Sequence, residues 1–305
     1  MEIRGTASGR RDWPCIMVIM MHFVDMTTST VPTVTHVIPG GERVTGVTSL
    51  GDDLFVVRHD SQEVEVYDAV TFTLQRRLSV PGLGWSFGLA ACASNKCLYA
   101  ADYTNDSVHR VELSVSASNA VTNWSVGLGP SGLTVNTDKN VLVVIRGERM
   151  IQQFTAHGTL LQTIQLQTDI ECPVQVVELS NGQFVISHEG RPTHHRVCLL
   201  DVKGAVVRSY GGTKGSDLTK INWPAGLAVD EDENILVADA DNNRLLVLDR
   251  SLTSAREMSV SVDGGLKHPS CLWYDKSRGR LCIGEWSGLR VIIVDHLKDF
   301  TACHV

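Results

Sequence analysis

The chain is predicted to be an all-β, six-bladed β-propeller with four antiparallel strands per blade. Three observations carry that expectation. A short marker recurs six times at nearly constant spacing, each copy is followed by the same succession of strand-length apolar runs, and helical periodicity is absent.

The marker is a small residue and a glycine, or their replacements, ahead of a short apolar strand. It reads Thr45-Gly46-Val47, Phe87-Gly88-Leu89, Ser131-Gly132-Leu133, Val174-Gln175-Val176, Ala225-Gly226-Leu227 and Ser270-Cys271-Leu272. The copies lie 42 to 51 residues apart, which suits one four-stranded blade per copy. A second strand follows each marker, as Leu54–Val57, Leu98–Ala101, Val141–Ile145, Phe184–Ile186, Ile235–Ala238 and Leu281–Gly284. These runs are apolar at successive positions, the pattern of a strand covered on both faces. A third strand comes next, such as Leu245–Asp249, and then a more polar outer strand, such as Val206–Tyr210, that alternates because one face meets water.

The sixth copy stops after its third strand, Val291–Val294. The segment Thr33 to Gly40 is similar to the outer strand at Leu74 to Gly82, and both end in Pro-Gly. Residues 29–39 are therefore expected to complete the last blade, joining the two ends of the propeller in one sheet and removing an exposed edge. On this reading residues 1–28 are a leader outside the fold, 29–300 are the propeller and 301–305 are a tail.

The 305 residues are 43% hydrophobic and 20% charged, with a net charge of -7. That balance suits a globular core and argues against a general polyanion binder, so no DNA partner is expected. Trp13–Val24 is apolar behind Arg10 and Arg11, but it is shorter than the roughly 20 residues needed to cross a bilayer. Asp12, His22 and the lack of a small-x-small cleavage site argue against a signal peptide, so a cytoplasmic monomer without a membrane partner is expected. None of the eight cysteines forms a C-x-x-C pair, and they are read as reduced. Cys92 and Cys97 flank the turn Ala93–Lys96 and could face each other across a hairpin.

Blade five carries a more specific signature. Tyr210-Gly211-Gly212-Thr213-Lys214-Gly215 leads to Pro224-Ala225-Gly226-Leu227-Ala228-Val229-Asp230 and then to Asp239-Ala240-Asp241-Asn242-Asn243-Arg244. This resembles the NHL repeat, in which Gly-Gly-x-x-Gly, Pro-x-Gly-[Ile/Leu]-Ala-Val-Asp and Asp-x-x-Asn-x-Arg recur. Blade two (Ala101 to Val108) and blade six (Gly284 to Gly288) are partial matches, and blades one, three and four are degenerate. More loosely, the chain is similar to the C-terminal NHL domains of tripartite-motif ubiquitin ligases. That resemblance implies a propeller that recruits substrate proteins or, in some members, RNA. The RING and B-box cysteine–histidine arrays are lacking, so ligase activity is not implied for this chain itself.

Aligning the second strands brings out one charged position, occupied by Arg58, Asp102, Arg146, His188, Asp239 and Glu285. These residues are expected on one rim at the mouth of the axial channel. They could pair and pin neighbouring blades, as in Arg58–Asp102–Arg146, or form a charged recognition ring. Tyr103, Arg149, Arg191 and Trp286 in the following loops are candidate contacts, since aromatics and arginines commonly anchor interfaces. Glu189–Arg196 is the most irregular of these loops.

Enzymatic alternatives fit less well. A zinc lyase needs convergent histidines, yet only His188 sits at the ring position and His59 should point away by strand alternation. A calcium site would draw on Asp102, Asp239 and Glu285, with Arg58 and Arg146 opposing the cation. No metal or cofactor is expected. The reading is a non-catalytic module for protein–protein recognition. RNA binding is the first alternative, and a metal-dependent hydrolase or lyase with an axial site is the second.

Overall fold

The computed structural model describes residues 32–113, 120–190 and 194–297. The leader, the tail and Arg191 lie outside these residues. The described chain forms six four-stranded sheets, each strand antiparallel to the next in order from an inner to an outer strand. A single 3-10 turn, Ala240–Asn242, interrupts the strands. Among the described residues no helix is long and apolar enough to cross a membrane.

The inner strands are Val44–Leu50, Ser86–Cys92, Pro130–Val135, Cys172–Glu178, Pro224–Val229 and Pro269–Asp275. The predicted second strands fall within Asp53–Arg58, Cys97–Asp102, Val141–Ile145, Phe184–Glu189, Ile235–Asp239 and Arg280–Glu285. Their continuous apolar sequences have the expected cause: Val141 to Ile145 are all buried because a neighbouring blade covers each face. The outer strand Leu74–Ser79 is exposed at every position except Leu78. Six apolar clusters fill the spaces between blades; one joins Val177, Val185 and Val197 of blade four to Leu227, Val237 and Leu246 of blade five.

The ring closes as the sequence predicts. Thr33–Ile38 pairs antiparallel with Val291–Asp295 as the outer strand of blade six, with Val34 opposite Val294 and Ile38 opposite Val291. Ile38, Val291 and Ile293 then pack with Val47, Leu54 and Val56 of blade one. Cys92 and Cys97 are direct cross-strand partners, and both thiols are free.

The structure also explains the repeat marker. A Cβ on Gly226 would lie 2.8 Å from the Cα of Cys271 on the next inner strand. On Gly88 it would lie 3.0 Å from the Leu133 backbone nitrogen, and on Gly132 2.4 Å from the Val174 carbonyl. Glycine recurs because adjacent inner strands approach within backbone contact, leaving an axial space of only about 40 Å³.

Candidate functional site

The predicted ring residues all lie at one end of the blades, but five are buried. Arg58 donates to Glu65 Oε2 at 2.8 Å and to the Glu42 carbonyl at 3.0 Å. Asp102 accepts from the backbone of Gly84 and Asn105, from the Asn105 amide and from His109 Nε2. Burial pushes its carboxyl up, but these donors outweigh burial and hold it below the usual carboxylate range. Asp239 accepts from Asn222, Asn242 and Arg244, at 2.7 to 2.8 Å. Glu285 accepts from Lys267 and Arg290, both at 2.7 Å. His188 is fully buried with Cys198 Sγ 3.5 Å from Nε2, and burial drives its imidazole down to about 3 with Arg196 adding to the shift.

These groups act as staples. In blade five Arg244 reaches the carbonyls of Ser216, Asp217 and Lys220, tying down the loop that feeds the inner strand. Arg290 does the same for Asp263 and Gly265, Arg196 for Asp169, and Arg58 for Glu42. The side-chain partners of Arg58, Asp102, Asp239 and Glu285 lie within a blade, at Glu65, His109, Arg244 and Arg290, instead of around the ring as Arg58–Asp102–Arg146.

Arg146 is the exception, and register explains it. Arg58, Asp102, His188, Asp239 and Glu285 sit opposite Val44, Ser86, Pro173, Pro224 and Pro269 at the start of the inner strands. In blade three that place belongs to Ile145, opposite Pro130. Arg146 therefore stands one residue later, where the side chain leaves the space between the sheets. It ion-pairs with Glu189 of blade four and borders open cavities.

That one-residue step defines the accessible rim. In five blades the residue after the ring position donates its backbone N–H to the carbonyl of the residue before the inner strand. The pairs are His59 with Arg43, Tyr103 with Trp85, Arg146 with Gly129, Ala240 with Trp223, and Trp286 with His268. His59, expected to point away, therefore faces the mouth: its ring centroid lies 5.1 Å from Trp85 and 5.2 Å from Trp286. Strand alternation fails there because the strand ends at Arg58.

The rim encloses a cup of about 480 Å³ over the filled axis, walled by Trp85, Phe87, Tyr103, Trp223, His268 and Trp286. Phe87 stacks on Trp286 at 6.2 Å and meets Tyr103 edge-on at 5.3 Å. The Arg43 guanidinium lies over the Trp286 ring at 4.6 Å. Trp85 remains 45% exposed, and Tyr103 and Trp223 38% each, which is high for aromatic rings grouped around one depression. Trp223 and His268 both adopt left-handed backbone, with φ of 60° and 53°, directly before a proline that begins an inner strand. Strain of this kind concentrates at functional positions.

Beside the cup, a groove of about 720 Å³ crosses blades two to four and includes Leu128, Arg146, Glu148, Arg149, Glu171 and Cys172. Tyr103 and Arg146 border both depressions. Of the predicted loop contacts, Tyr103 and Trp286 line the cup and Arg149 lines the groove. Sequence reasoning missed Arg43, Trp85, Phe87, Trp223 and His268. The available signal was that each lies at or just before the start of an inner strand. Among the described residues no three His, Cys, Asp or Glu side chains converge as a metal site would need.

No curated protein matches the chain by sequence. Among solved structures, hydrazine synthase of Kuenenia stuttgartiensis is similar in fold, with a TM-score of 0.61 and 16% identity over 85% of this chain and 96% of that chain. An inactive virginiamycin B lyase from Staphylococcus aureus, solved with quinupristin, gives 0.59 and 12% over 82% and 80%. A protein of unknown function from Bacteroides thetaiotaomicron gives 0.66 and 14% over 84% and 70%. At these identities the likeness is one of fold. Residues 222–248, the second and third strands of blade five with the end of its preceding loop and its inner strand, match the NHL repeat, so the chain is a six-bladed propeller that contains an NHL repeat.

Proposed function

We propose that this propeller is a non-catalytic recognition module that binds a polypeptide at the aromatic cup. The observation supporting this reading is the cluster of partly exposed rings from three blades around one depression of about 480 Å³. Trp and Tyr supply large contact areas with few rotatable bonds, and they dominate the energetics of protein interfaces. The tripartite-motif resemblance implies the same class of role without itself supplying a partner. The cytoplasm remains the proposed location.

RNA is the second reading, because exposed rings can also stack bases. A photoreactive phenylalanine analogue in place of Tyr103 tests both readings in cells. Covalent adducts to polypeptides are expected, and they should disappear in the Trp85→Ala, Trp223→Ala double variant. Adducts to RNA would favour the second reading. Adducts no more abundant than those from the same analogue in place of Leu74, on an outer strand, would overturn both.

A further inference from the structure

The chemistry of the cup is one-sided. Among the described residues, no acceptor engages the indole N–H of Trp85, Trp223 or Trp286, or the Tyr103 hydroxyl. The hydroxyls at the cup floor are already committed: Ser131 donates to the Val174 carbonyl at 2.9 Å, and Ser270 to the Val44 carbonyl at 2.8 Å. No carboxylate lines the cup. The carboxylates of the groove are engaged: Asp106 accepts from Gly129, Glu148 accepts from Leu128, and Glu171 faces His194 at 3.5 Å. Arg43, which lies over the Trp286 ring of the cup wall, and Arg149 in the groove have no ion-pair partner among the described residues. The cup thus presents apolar rings and free donors with no carboxylate on its lining, while an unpaired cation stands against Trp286 (Arg43) and another in the adjoining groove (Arg149).

We infer that the cup takes an acidic peptide segment: one large apolar or aromatic side chain fills the cavity, and neighbouring carboxylates meet Arg43 and Arg149. This rests on the cup being a recognition site, as proposed above. A basic peptide would confront the unpaired Arg43 and Arg149 with no carboxylate lining the cup to receive it. A polyphosphate chain needs a continuous basic track, whereas Glu148, Glu171 and Glu189 break up this face and the chain carries a net charge of -7. A peptide with a few carboxylates beside one anchor needs no such track. Exposed guanidinium–carboxylate pairs add selectivity more than strength, so the anchor dominates affinity.

The test is selection of random dodecapeptides displayed on phage against the immobilised full chain, with counter-selection on the Trp85→Ala, Trp223→Ala double variant. Enriched peptides are synthesised and titrated by fluorescence anisotropy. The inference expects Asp or Glu within a few residues of a Trp, Phe or Leu. It also expects roughly three- to tenfold weaker binding to Arg43→Glu, with Arg43→Lys restoring most of it. Both charge variants should melt at the temperature of the parent chain, because Arg43 is exposed. Basic or uncharged peptides that still depend on the two tryptophans would overturn the acidic preference and leave the recognition reading standing. Peptides that bind the double variant equally well would overturn both. Failure to enrich any peptide would overturn the inference, as would tryptophan-dependent binding of a random single-stranded RNA dodecamer pool tighter than that of the selected peptides.

Discussion

Blades five and three share one backbone plan but finish the mouth of the propeller differently. In blade five, Asp239 and Arg244 form a buried pair, and Arg244 reaches three carbonyls of the preceding loop. In blade three the corresponding positions are Ile145, which is buried, and Met150, which is half-buried, both apolar. The preceding loop is instead held by borrowed acceptors: Gln152 for Gly127, Glu148 for Leu128 and Asp106 for Gly129. Leu128 is left 60% exposed above the groove. Where the repeat consensus is intact, polar groups are consumed in holding the blade. In blade three, which lacks that pair, the face opens and presents Arg146 and Arg149.

The strongest test of that contrast is Arg244→Ala, which strands the Asp239 carboxylate in the interior. Chemical denaturation should show a loss of about 3–5 kcal/mol. Arg146→Ala removes a partly exposed pair and should cost no more than about 1 kcal/mol, so equal losses would break the comparison. Blade four lies between these extremes, because His188 is buried without a carboxylate partner. Its folded pKa of about 3 lies below the ordinary 6.5, so the unfolded chain takes up a proton that the folded chain refuses. Stability should therefore fall as pH drops from 6.5 toward 3, by up to about 1.4 kcal/mol per pH unit, and His188→Gln should flatten that slope.

The inner strands should treat the two blades alike. Gly226→Ala and Gly132→Ala each force a Cβ against the next strand's backbone and should cost about 1–3 kcal/mol in unfolding experiments. If only the blade five substitution is harmful, channel packing depends on the staple. The smallest stability change is expected for Trp85→Ala, whose ring is largely outside the core. It should shift the melting temperature little, while weakening binding of a cup ligand about tenfold or more.

Much of the fold was legible because it depends on local chemistry repeated six times. Glycine spacing, apolar second strands and the Pro-Gly ending shared by two outer strands led to the correct blade count and to closure through Thr33–Ile38. The ring position was legible as register, apart from blade three, where Ile145 holds it and the charged Arg146 stands one residue later. Its environment was not legible. Charge in a sequence does not reveal whether a side chain turns between two sheets or toward the axis, and one residue decides that in a strand.

The cup is a product of closure alone. Trp85, Phe87 and Tyr103 come from blade two, Trp223 from blade five, and His268 and Trp286 from blade six, with Arg43 and His59 of blade one packed against Trp286. In the sequence these residues are separated by up to 243 positions and share no motif. Blade sequences determine strands, because side-chain alternation and glycine packing act over a few residues. Only the closed ring decides which strand ends converge, because that depends on the summed geometry of six sheets meeting around one axis.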